Sequence, residues 1–259
     1  TGGTGQWSVG SNWNQGVIPG ATQVITLGAV APTSVLTWNG PVTIPGIAAG
    51  TANVAYDLLT GTFSQINVNG ANLALTAGTQ LNAGTLKFAA GVINGTGSIT
   101  ASNFSQTGGT FGTSNCVAGC FTKVDLTGAF GSPVNLAASN SIALHSTGAL
   151  NAGVTAPTVT LGAATTLNLG TTSAGSLIVT ANGAVTQTGA LTVNGTTDVN
   201  AGTGAITLAN PSNNFGGAVT LTGGSTTIAA ALTLNLGKTN LTGNLIAGGQ
   251  DVIVSGPLG

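Results

Sequence analysis

The chain has 259 residues, 43 of them glycine, and three basic against four acidic side chains, for a net charge of −1 and a pI near 5.3. That excludes a nucleic-acid binder, which needs clustered Lys and Arg to neutralise phosphates. Positive mean hydropathy excludes simple disorder, and no run approaches the ~18 uninterrupted apolar residues of a membrane-spanning helix. What remains is an ordered chain that meets water with Thr, Asn, Ser and Gly instead of charge. Composition hardly changes along it, so one elongated unit over residues 1–259 is expected.

The opening TGGTGQW has no basic region followed by an apolar one, so no signal peptide is visible. A mature exported chain and one never exported fit this equally. TGGTG leads into no strand-turn-helix with a lysine and is not a phosphate loop. The segment 1–56 holds Trp7, Trp13, Trp38 and Tyr56. Two readings stand for these aromatics: a plug that caps the end of the fold, or a platform on which sugar rings stack. The cap is favoured, because a single stack of strands must cover its bare end.

From there the apolar residues recur at period two between turn signals. Val68, Leu73/Leu75, Leu81, Leu86/Phe88, Val92/Ile93, Ile99, Phe104 and Phe111 mark the first half. Val159/Leu161, Leu167/Leu169, Leu177/Val179, Leu191/Val193, Ile206/Leu208, Val219/Leu221, Leu232/Leu234 and Val252/Val254 mark the second. Runs such as AGT, NGT and TGG separate them. Such alternation predicts short strands with one face inward, and Thr suits the outward face. No i, i+3, i+4 stripe lasts three turns, and Gly is too frequent for helix interiors.

Between the halves, Cys116 and Cys120 lie in CVAGC. A tight loop brings two such Cα atoms within disulfide range, and we expect the bond as a local staple. Zinc is not expected, since two thiols and the distant His145 do not complete a tetrahedral set. His145 itself, in IALHSTG, has no carboxylate or nucleophile close in sequence to make it a catalytic base. The serines include no G-x-S-x-G elbow. Asp57, Asp125, Asp198 and Asp251 are isolated from one another, so a glycosidase-like pair would need the fold to bring two together. No cofactor is implied. The run from Gly248 to Gly259 holds the alternating strand Asp251-Val252-Ile253-Val254 and then SGPLG, with no helix to close a stack.

Short strands, self-similar units such as NLALTAGTQLNAGTLKF and TLNLGTTSAGSLIV, and tight Gly/Asn turns predict a quasi-one-dimensional stack. The expected fold is all-β, a right-handed parallel β-helix, with a β-sandwich or jelly roll as the alternative. At roughly 20 residues per coil the chain would make about 12 or 13 coils, near 60 Å at the ~4.8 Å strand spacing. Asn and Thr at the turns would stack in ladders.

Two stretches resemble known families. Trp7-Ser-Val-Gly-Ser-Asn-Trp13 with Gly16-Val-Ile-Pro19 resembles the opening of autotransporter-associated β-strand repeats. Residues 183–224, around Asn214-Phe215-Gly216-Gly217-Ala218-Val219, resemble the repeats of filamentous-haemagglutinin-like exoproteins. The resemblance implies a β-helix on an exported bacterial surface protein, with no catalytic residues to carry over. The chain differs from these families in its shortness and in lacking a secretion-domain signature.

The expectation is therefore a non-enzymatic extracellular structural protein of a bacterial surface or matrix. Its near-zero net charge removes the repulsion that keeps proteins apart, so self-association into a fibre is expected, with 251–254 as the subunit junction. A stalk or adhesin segment that binds surface glycans is one alternative, and a polysaccharide lyase or hydrolase on the same scaffold is another.

Overall fold

A computed structural model describes residues 81–112 and 120–259 in full. Upstream it describes the strand backbones Ile25–Thr26, Val35–Asn39, Val54–Asp57 and Thr62–Leu75, and the first residue of Gln80–Gly95. Twenty-two strands of the described chain form a single sheet. Every pairing in it is parallel, for example Leu150–Ala163 on Val134–Ser146 and Thr172–Ala181 on Leu150–Ala163. A sandwich or jelly roll needs antiparallel hairpins. The fold is instead a parallel β-solenoid of about 9 turns, without helices among the described residues.

The period-two pattern explains how the coils stack. Leu81, Ile99, Val124, Ile142, Val159 and Leu177 are register partners in succession, and the column continues through Thr197 and Val219 to Leu236. All nine side chains are buried. A second column runs two residues along the strands: Ala101, Leu126, Leu144, Leu161, Val179, Val199 and Leu221. Each fully buried aliphatic residue contributes about 1.5–3 kcal/mol relative to exposure. Because each contacts mainly the coils above and below, stability is a sum of interfaces.

Coil length varies along the stack. Leu150 finds its partner one short coil on, at Leu167, whereas Ser98 pairs across a longer one with Lys123. These downstream coils bracket the length expected from the spacing of the apolar pairs. Upstream the steps are longer still: Ile25 pairs with Tyr56, and Val35 with Gln65. From Leu81 to Val254 the column takes nine steps, about 43 Å at the ~4.8 Å spacing.

Two interior features depart from aliphatic filling. Between residues 81 and 130 the lumen holds a phenylalanine cluster: Phe88 and Phe111 at 5.4 Å between centroids, Phe104 and Phe130 at 4.9 Å. Glycine makes the room. Gly109 has φ +76°, and a Cβ there would strike the Phe88 ring, while at Gly128 it would run into the Phe104 backbone. Further along, Asn213 is fully buried and bonds three coils together. Gln187 Nε2 donates to its Oδ1 at 2.8 Å, and Leu191 N donates to the same oxygen at 2.9 Å. In return Asn213 Nδ2 donates to Gln187 Oε1, Leu208 O and Ala229 O at 2.9–3.1 Å. Sequence reading did not identify this staple, since one Asn among many turn asparagines carries no distinguishing pattern.

One inward pair is displaced. Leu232 is 52% exposed in a turn, and the inward pair is Leu234/Leu236. The expected ladders are present at a few rungs: Thr186 Oγ1 donates to Asn168 Oδ1 at 3.2 Å, and Ser255 Oγ to Asn235 Oδ1 at 2.6 Å.

Candidate functional site: the C-terminal face

The last coil continues both interior columns. Val252 lies under Leu234 and Val254 under Leu236, and Leu258 lies under Thr239. Their alternation is that of every coil above, so the same chemistry that buries Leu234 and Leu236 aims these three residues into the stack. Yet Val252, Val254 and Leu258 are 43%, 51% and 57% exposed, because among the described residues no coil lies beneath them. One edge of Val252–Val254 is paired, with Ser255 N donating to Leu236 O at 2.8 Å and Leu234 N to Asp251 O at 2.8 Å. The outward side of this coil is also apolar: Ile246 occupies the column filled by Thr207 and Thr227 above it. Ile253 faces out beneath Asn235. The predicted junction residues Asp251, Val252, Ile253 and Val254 are thus exposed, and three of the four are large and apolar.

The remaining candidates are dispersed. Trp7, Trp13 and Cys116 lie outside the described residues. Trp38 and Tyr56 fall in strands whose backbones pair with Val68 and Leu75, respectively, and their side chains are also outside the description. Cys120 is buried just before Phe121–Phe130. Its pairing with Cys116 remains an expectation.

His145 is exposed on the outer face of Val134–Ser146, in register with Thr127 and Gly162. A Cβ at Gly162 would come within 2.7 Å of its Nδ1, so the ring leans over the glycine of the next coil. Asp125 is held by Lys123 at 3.2 Å, on the same strand and face. Asp125 and Asp198 share one outer column, through Ala143, Thr160 and Ile178. Four rungs separate them, about 19 Å at the ~4.8 Å spacing, against the roughly 5–9.5 Å of a glycosidase carboxylate pair. Among the described residues no group of three His, Cys, Asp or Glu side chains is placed to hold a metal, and no helix is long and apolar enough to cross a membrane.

Residues 156–222, about a quarter of the chain, match a family model described as repeats of unknown function, DUF5649. No curated protein and no solved structure matches the chain. The matched span covers the most regular coils, from the middle of Leu150–Ala163 to Val219–Gly223, so the similarity is to a repeated β-solenoid unit.

Proposed function

We propose that this chain is a non-enzymatic structural β-solenoid of an exported bacterial surface or matrix protein, and that its coils stack end to end between copies to build a fibre. The observation that carries this reading is that Val252 and Val254 prolong the buried columns of Leu234 and Leu236, so that a further coil of the same pattern, from another copy, stacks on them. A parallel strand edge of this kind pairs with another strand, and its apolar columns are matched by another coil of the same pattern. Net charge −1 sets up almost no repulsion between copies. A contact between unlike ends does not close on itself and grows as a filament. Export is supported by the wording of residues 7–19 and 183–224, and a Cys116–Cys120 staple belongs with an oxidising exterior.

A second reading has the same face covered by further coils of a larger exoprotein, with this chain as stalk. Electron microscopy of the purified chain separates the two. Filaments many rod lengths long, lost when residues 251–254 are deleted or when Val252 and Val254 are both replaced by Lys, support the fibre. Dispersed single rods overturn it in favour of the stalk.

A further inference from the structure

A groove of about 320 Å³ opens on the outer surface where the coils of residues 133–188 stack, at the lower end of the roughly 300–1,000 Å³ usual for small-molecule sites. Its floor is a pair of stacked glycines. Gly153 and Gly170 are superposed closely enough that a Cβ on Gly170 would lie 3.0 Å from the Gly153 Cα, and one on Gly153 would lie 2.8 Å from Asn135 Oδ1. Side chains at either position would fill the slot. Asn135, register partner of Gly153, closes one end, and Thr188 closes the other. Asn151 and Asn168, register partners in the neighbouring column, form one wall. Asn168 is oriented by its neighbours: its Nδ2 donates to Thr188 Oγ1 at 3.3 Å, and its Oδ1 accepts from Thr186 Oγ1. Pro133 adds an apolar ring at the rim.

None of the lining residues is charged. An anionic or cationic ligand finds no counter-charge there, and a purely apolar one would cover the amides without bonding them. Three carboxamides and a hydroxyl offer donors and acceptors together. The glycine floor and Pro133 offer C–H surface. A ring with hydroxyls along its edge and C–H groups on its face satisfies both at once.

We propose that this groove binds a neutral saccharide, one pyranose ring lying on Gly153 and Gly170 with its hydroxyls bonded to Asn135, Asn151 and Asn168. The site faces outward from the coil wall, so it is available in a free rod and in a fibre alike, and does not depend on the end-to-end reading.

Saturation-transfer NMR on the intact chain tests it, with glucose, N-acetylglucosamine, maltose and cellobiose as neutral probes and glucuronate as the charged control. We expect transfer to at least one neutral probe, with millimolar affinity suited to an open groove, and weaker transfer to glucuronate. The Asn135→Ala/Asn151→Ala pair alters two exposed side chains that leave the core intact and should weaken binding about tenfold, some 1.4 kcal/mol. Asn200→Ala, on a distant outer rung, should not weaken it. Absence of transfer to all four neutral sugars from folded protein overturns the proposal, and so does transfer unchanged in the double variant.

Discussion

The aromatic stretch at residues 81–130 and the amide-stapled stretch at residues 185–231 depart from the aliphatic interior in opposite ways. In the first, volume is exchanged: phenylalanines enlarge the filling, and Gly109 and Gly128 give way beside them. In the second, polarity is admitted: Asn213 enters a fully buried site, with both ends of its amide bonded across coils. Each departure is matched by a local compensation. Each stretch also holds one atom that is not compensated. Gln106 Oε1, in a side chain stacked between Phe88 and Phe130, has no hydrogen-bond partner, nor has Thr197 Oγ1 in the column between Leu177 and Val219. A β-solenoid lumen thus tolerates an irregular residue when the adjacent coil answers it, and carries a penalty where it does not.

The largest expected effect comes from removing the staple. Asn213→Ala strands the Leu191 N–H and takes the amide donor from the Leu208 and Ala229 carbonyls, while Gln187 keeps its bonds to Gly189 O and Asn210 N. At about 1–3 kcal/mol per buried unpaired group, it should cost more than about 4 kcal/mol, read as a lowered urea midpoint. Hydrogen exchange should then open the coils around residues 187–231 before those around 81–130. Phe104→Ala tests the other region and should cost about 3–5 kcal/mol through transfer and cavity terms. A loss below about 1 kcal/mol would mean that the lumen collapses around small residues, and that the aromatic filling is not what sets its width there.

Thr197→Val is expected to act in the opposite direction. It keeps the β-branched shape, removes the orphan hydroxyl and matches the aliphatic column, so stability should rise by about 1–2 kcal/mol. Two other buried threonines are different: Thr172 Oγ1 donates to Gly170 O at 3.2 Å and Thr226 Oγ1 to Gly224 O at 3.4 Å. Thr172→Val should therefore bring no gain, and equal gains at both positions would refute the distinction. Smallest is the exposed Lys123–Asp125 pair. Lys123→Ala should shift the urea midpoint by less than the equivalent of about 1 kcal/mol, because solvent screens such pairs.

Most of the fold was legible from the pattern of residues. Inward pairs such as Val159/Leu161 and Leu177/Val179 are buried as alternation requires, and self-similar units pointed to a stack. The exception at Leu232 is instructive. Alternation places Leu232, Leu234 and Leu236 on one side, and only the end of the turn decides which two enter the strand. The C-terminal face was legible as a strand and not as a surface, because exposure depends on whether another coil lies beneath.

By itself the sequence determined the secondary structure, the parallel stacking and the uncharged surface. Period-two spacing, turn glycines and the scarcity of ionisable groups are local properties that need no knowledge of distant partners. Tertiary structure alone decided which residues meet across coils: that Asn213 reaches Gln187, that Gly153 falls on Gly170, and that Asp125 and Asp198 lie four rungs apart. The reason is the variable step, short from Leu150 to Leu167 and long from Ser98 to Lys123. With a strict repeat, register could be counted along the chain, but each turn here differs in length, and only backbone pairing fixes which rung follows which.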